Sequence, residues 1–148
     1  MTGAITLRAA LDDDFAFWRR GHRACFKGYV EQTWGTWDDA DQLQRLERVF
    51  RPMPGEIVLF DGEPIGFFWV RKLDEGWYLE SIAILPDHQN RGIGTTLIKQ
   101  VMTNAKAAHV PVRLQVLKVN PAHALYERLG FRKSAETKYR HHMEWTPG

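Results

Sequence analysis

The chain has 148 residues, 44% of them hydrophobic and 26% charged, with a net charge of +2. That length is one ordinary domain with apolar material for a single substantial core, and no apolar run approaches the length that crosses a bilayer. The small net charge gives no general reason to bind nucleic acid, and the lone cysteine, Cys25, excludes an intrachain disulfide and fits a reducing compartment.

The N-terminus lacks a basic region followed by an apolar core, so no signal peptide is expected and a cytoplasmic protein without a membrane partner is read. Ile5 and Leu7 alternate with polar neighbours and predict a short first strand. Asp12, Asp13 and Asp14 offer N-caps for a helix whose apolar face is Phe15, Trp18, His22, Phe26 and Tyr29. The chain breaks around Gly35. Asp38 then caps a second helix with Leu43, Leu46 and Phe50 on one side, ended by Pro52 and Pro54. Strands over residues 56–60 and 65–72 flank Asp61-Gly62, a strong hairpin signal, and Asp74-Glu75-Gly76 turns into a third strand over 77–84. A helix from Gly92 carries Ile93, Leu97, Ile98, Val101, Met102 and Ala105 inward. A strand over 112–117 and a short helix over 121–129 follow, the helix closed by Gly130. One strand begins at Phe131, and a last one alternates Tyr139, His141, Met143 and Trp145. No repeat or linker interrupts the chain. The order β-α-α-β-β-β-α-β-α-β-β predicts a single α/β (α+β) domain over 1–148, with helices packed on a mixed sheet.

Residues 89–94, Gln-Asn-Arg-Gly-Ile-Gly, carry the most chemistry. They join an apolar strand to a helix start, where backbone N–H groups lack intrahelical acceptors and the dipole favours negative charge. Glycines at 92 and 94 let backbone approach a pyrophosphate. Three phosphate-binding patterns compete. A P-loop needs Gly-x-x-x-x-Gly-Lys-Ser/Thr, which is absent. A dinucleotide fingerprint needs a third glycine where Leu97 stands, and it belongs at the start of a βαβ unit rather than after a meander.

The third pattern is Gln/Arg-x-x-Gly-x-Gly/Ala after a strand ending in an apolar-x-Pro step. In this pattern residues 79–94 resemble the signature strand, loop and helix start of the GCN5-related N-acetyltransferase superfamily. A second stretch, residues 120–131, resembles that family's asparagine after the fifth strand followed by Ala-x-x-Leu-Tyr-x-x-x-Gly-Phe. The two motifs stand in the family's order, and the elements over 5–145 match its topology. The resemblance implies a mostly antiparallel mixed sheet splayed into a V-shaped cleft, with acetyl-coenzyme A as cofactor and a primary amine, on a small molecule or on a peptide or protein, as acceptor.

The same resemblance implies the site residues. Backbone of Ile82, Ala83 and Ile84 pairs with the pantetheine arm as a peptide adds to a sheet edge. N–H groups from Asn90, Arg91, Gly92, Ile93, Gly94 and Thr95 hold the pyrophosphate, with Gln89 and Arg91 at the signature side-chain positions. Asn120 contacts pantetheine or caps the following helix. Tyr126 matches the tyrosine that protonates the leaving thiolate; the competing reading is a half-buried core tyrosine. Glu80 is the nearest carboxylate to serve as base for the amine, directly or through a water; the competing reading is a salt-bridged strand carboxylate. Transfer is direct, through a tetrahedral intermediate, with a backbone N–H near Ile82 facing the oxyanion.

The acceptor site is expected along residues 29–38. There Tyr29, Glu31 and Trp34 suit a cationic amine through cation–π contact and ion pairing. A staple and cap joining two helices is the plain alternative. Cys25 reads as a buried inert thiol rather than an acyl carrier, and His22 as a satisfied core group. No metal is expected, because His141 and His142 point to opposite strand faces. A homodimer is compatible with the resemblance, as is a non-catalytic acyl-coenzyme A sensor.

Overall fold

A computed structural model describes residues 4–50 and 55–148. The start Met1, Thr2 and Gly3 and the expected helix terminators Pro52 and Pro54 lie outside the described residues. The elements are β1 (Ile5–Ala9), α1 (Phe15–Trp34), α2 (Asp39–Phe50), β2 (Glu56–Phe60), β3 (Glu63–Leu73), β4 (Gly76–Ile84), α3 (Ile93–Ala107), β5 (Val112–Leu117), α4 (Ala122–Arg128), β6 (Arg132–Glu136) and β7 (Arg140–Trp145). Single 3-10 turns stand at Asp12–Asp14 and Pro86–His88. The strand order is β1-β2-β3-β4-β5-β7-β6. The β4–β5 ladder is parallel, while β1–β2, β2–β3, β5–β7 and β6–β7 are antiparallel. This is the expected mixed, mostly antiparallel α/β fold. The chain divides into two compact units, one of the residues up to Trp69 with Ser81–Ile93, the other of Val70–Glu80 with Gly94–Gly148.

The core of the first unit is aromatic. Trp18 of α1 stacks on Phe67 of β3 at 4.3 Å and meets Phe50 of α2 edge-on at 5.3 Å. Ile57, Val58, Ile65 and Phe67 are fully buried. Burial of side chains this size stabilises by about 1.5–3 kcal/mol each. Gly66 allows close strand approach, because a Cβ there would collide with the Ala83 carbonyl oxygen. The β2–β3 turn is of the expected kind, with Asp61 and Gly62 both left-handed (φ 50° and 84°).

Capping differs between the first two helices. Asp14, the N-cap residue of α1, makes no side-chain cap hydrogen bond. Asp14 instead accepts from the Leu11 N–H at 2.8 Å and from both Arg8 Nη atoms at 2.7 and 2.9 Å, and the Arg8 hydrogen bonds hold its carboxyl below the usual range. The guanidinium outcompetes the helix N–H groups for the carboxylate. Asp38 does cap α2, accepting from the Asp41 N–H at 3.0 Å. Helix α1 runs to Trp34, and Gly35 closes it by donating to the Glu31 carbonyl at 2.7 Å.

In the second unit, Leu97, Ile98, Val101 and Ala105 form the buried face of α3 as its period demands. Val112, Leu114 and Val116 alternate inward along β5, opposite Met143 of β7. Strand β6 is exposed along its whole length; Phe131 precedes it and is buried.

Candidate active site

The phosphate-loop residues up to Ile93 belong to the first unit. After the 3-10 turn at Pro86–His88, Gln89 is extended (φ −72°, ψ 162°), Asn90 is left-handed (φ 63°) and so is Gly92 (φ 78°); α3 begins at Ile93. Left-handed residues at alternate positions turn successive N–H groups toward one concavity, an anion nest, and a helix N-terminus follows it directly. A side chain at Gly92 would cost roughly 1–2 kcal/mol for its φ. A Cβ at either Gly92 or Gly94 would meet nothing within 4 Å, so the loop faces open space. Arg91 is exposed beside it. This backbone shape fits a pyrophosphate group.

The Gln89 side chain turns back. Its Nε2 donates to the Ile84 carbonyl at 2.8 Å, and the Cys25 thiol donates to the same oxygen at 3.2 Å. Three segments, α1, the end of β4 and the loop, are thereby tied at one acceptor. The Ile84 carbonyl already has two protein donors, and the Ala83 carbonyl faces Gly66. The Cys25 thiol is pushed up to about 11 by burial, partly offset by Gln89, so it is scarcely ionised near neutrality. Sequence reading missed this tie because only the fold brings residues 25, 84 and 89 together.

The segment expected to meet the acceptor also lies in the first unit. Tyr29 is half-buried, whereas Glu31 and Trp34 are exposed, so the last turns of α1 split them between two faces. Glu31 lies 3.9 Å from Lys27, and Trp34 is 42% exposed. His22 packs against Phe26 and Trp37, with ring centroids 5.1 and 5.8 Å away. It is core-like but not satisfied, since Nδ1 is buried with no hydrogen-bond partner. Aromatic neighbours offer no ring-nitrogen acceptor, and burial pushes its pKa down to about 4.

Glu80, Asn120 and Tyr126 belong to the second unit. Glu80 Oε1 pairs with Arg71 Nη2 at 2.8 Å. The Arg71 guanidinium also lies 5.6 Å over the Tyr78 ring, whose phenol is raised chiefly by burial and is hydrogen-bonded by Gln115. Sequence reading missed Arg71. Counting back from the Asp74-Glu75 turn, which sets Arg71 opposite Tyr78 and diagonal to Glu80, would have found it. Asn120 Oδ1 accepts from the Ala122 N–H at 2.9 Å, a turn-type cap at the start of α4. Tyr126 is more buried than a half-buried core residue, at 7% exposure, and packs edge-on against Phe131 at 5.8 Å. Burial pushes its phenol up to about 12, so it holds its proton across the neutral range. The β4–β5 ladder ends at Leu79↔Leu114.

Among the described residues, no group of three or more His, Cys, Asp or Glu is placed to hold a metal, and no helix is long and apolar enough to cross a membrane. The profile of the Acetyltransferase (GNAT) family matches residues 15–131. Solved structures share the fold at low identity. The PaiA N-acetyltransferase of Thermoplasma acidophilum, in complex with coenzyme A, is 18% identical with a TM-score of 0.72, over 97% of this chain and 99% of that one. An acetyltransferase of Thermus thermophilus is 20% identical with a TM-score of 0.74, over 99% and 97%. The ribosomal-protein-S18-alanine N-acetyltransferase of Escherichia coli is 18% identical with a TM-score of 0.71, over 98% and 95%. Acetyl-coenzyme A is the donor this family uses. By its strand–loop–helix and the extent of the profile match, the chain belongs to the GNAT acetyltransferase family.

Proposed function

We propose that the protein is an N-acetyltransferase that moves an acetyl group from acetyl-coenzyme A to a primary amine by direct attack in a ternary complex. The observation that carries this is the loop of left-handed Asn90 and Gly92 opening onto α3 with free space before Gly92 and Gly94. Bound acetyl-coenzyme A supplies an activated thioester. The chain's part is to hold it, to take a proton from the amine and to assist the departing sulfur.

Backbone N–H groups of residues 90–95, with Arg91, hold the pyrophosphate. Gln89 acts on this loop from within, by fixing its entry to the Ile84 carbonyl. The backbone of Ile82 of β4 and the Asn120 carboxamide hold the pantetheine arm. The amine nitrogen bonds to the carbonyl carbon, and the carbon–sulfur bond breaks as the tetrahedral intermediate collapses. Glu80 accepts the amine's proton directly or through a water, with Arg71 on Oε1 setting its orientation.

Tyr126 O–H faces the departing sulfur. A phenol near 12 does not hand its proton outright to a thiolate of ordinary pKa, about 8.5. Its contribution is a hydrogen bond that strengthens as charge builds on sulfur, and it is felt in the transition state.

The test is release of coenzyme A thiol from acetyl-coenzyme A across a panel of amines and peptides, with product mass confirming the acetyl group. Turnover on at least one amine is expected. Tight coenzyme A binding by the folded protein with no turnover on any amine would identify a sensor instead.

A further inference from the structure

Helix α1 has a second face. Trp18, Gly21, His22, Cys25 and Phe26 turn toward the protein, while Arg19, Arg20 and Arg23 are exposed on the opposite side. The spacing 16, 19, 20, 23, 27, 34 places Ala16, these three arginines, Lys27 and Trp34 on one stripe of the helix. Beneath the arginines lies an open cavity of about 380 Å³, lined by Phe15, Ala16, Arg19, Arg20, Arg23 and Asp39. Its floor is apolar and its rim cationic. Asp39 is the one carboxylate there, and it is anchored by the Trp37 Nε1 donor at 2.6 Å and lies 3.5 Å from Arg23. Among the described residues neither Arg19 nor Arg20 has a carboxylate within 4 Å.

We propose that this face of α1 is a docking track for an acidic polypeptide segment, which delivers the acceptor amine to the Trp34 end of the helix. The proposal rests on the reading that the end of α1 borders the acceptor site, and it narrows the acceptor to a peptide or protein amine. Guanidinium groups take carboxylates in a bidentate fork; Arg23 pairs with Asp39, Arg19 feels the same carboxylate without an ion-pair contact, and Arg20 pairs with none among the described residues. The apolar floor at Phe15 and Ala16 suits the side-chain stems of a polypeptide. A nucleic-acid backbone fits less well, because Asp39 and Glu31 interrupt the positive potential and three or four cations neutralise few phosphates.

The helix also fixes a spacing. Arg23 and Arg19 stand eleven and fifteen residues before Trp34, about 16 and 22 Å along the axis. An extended peptide covers about 3.3 Å per residue, so its acidic residues fall about five to seven positions from the acetylated amine.

The experiment compares two labelled peptides with the same free amine. One carries glutamates at the fifth to seventh positions and the other carries glutamines. Binding is read by fluorescence anisotropy without acetyl-coenzyme A, and kcat/KM by thiol release. The acidic peptide is expected to bind about tenfold tighter at low salt, with the advantage lost in the Arg19→Gln/Arg20→Gln/Arg23→Gln variant. Arg20→Gln alone is expected to remove about two- to threefold of it, and all three changes are on exposed positions where folding is checked by melting temperature. Arg132→Gln/Lys133→Gln on exposed β6 is expected to keep the full preference. Equal binding of the two peptides overturns the proposal, as does loss of preference in the β6 variant, which would make the effect one of net charge. Displacement of the acidic peptide by an oligonucleotide of equal charge at lower concentration also overturns it. Acetylation of the glutamine peptide by wild type and triple variant alike, without acidic preference, removes the track and leaves the transferase reading standing. Selective binding with no acetylation of either peptide does the reverse.

Discussion

The loop over residues 89–94 and the end of α1 over residues 29–34 are both expected to touch substrate, and they are built in opposite ways. The loop is a backbone device. Its shape comes from two left-handed residues and a helix start, and its most suggestive side chain, Gln89, is spent on the Ile84 carbonyl. The α1 end is regular helix, so whatever it recognises must be read by side chains such as Glu31 and Trp34. A backbone clamp takes any coenzyme A thioester and tolerates side-chain change. A side-chain surface is the place where members of one fold differ in acceptor.

Substitutions sharpen that contrast. The largest effect belongs to Tyr126, the side chain proposed to assist the departing sulfur. Tyr126→Phe is expected to lower kcat by about 10²–10³-fold while leaving coenzyme A affinity within about twofold, as measured by steady-state kinetics and calorimetry. Unchanged kcat would reduce Tyr126 to a core residue.

The next effect is on stability and lies on α1. The folded pKa of His22, about 4, is below the unfolded value of about 6.5, so the unfolded chain binds the proton first. Stability is therefore fully present above about pH 6.5 and lost as pH falls toward 4, by on the order of 2–3 kcal/mol. Denaturant midpoints between pH 7 and 4 check this. His22→Phe should flatten that part of the profile, and an identical slope in the variant would locate the acid sensitivity elsewhere.

On the loop, Gly92→Val is expected to weaken coenzyme A binding about tenfold through left-handed strain, with Arg91→Gln costing less, about two- to fourfold. A reversed ranking in calorimetric titrations would make the clamp a side-chain device. Smallest is Trp34→Ala, expected to raise KM for the acceptor about threefold and leave KM for acetyl-coenzyme A alone. A matching rise in both would break the division of labour between loop and helix.

The sequence made the loop legible because a glycine pattern reports backbone conformation directly. It made the α3 face and the β5 strand legible because periodicity reports burial. It misread Asp14, since nothing local shows that Arg8 captures it. It left Glu80 between two roles, and the Arg71 ion pair realises one of them without removing the other. It could not separate Tyr29 from Glu31 and Trp34, because where α1 ends decides which of them faces solvent. Residues that act through long-range partners, such as Cys25, were the hardest to see.

The most direct test is a time course of thiol release from acetyl-coenzyme A with free-amine peptides, run on wild type and on Gly92→Val at subsaturating donor. Acetylated product is expected, with one thiol released per acetyl transferred and a lower kcat/KM for the donor in Gly92→Val. Folded wild-type protein that binds coenzyme A yet releases no thiol with any amine would contradict the proposed function.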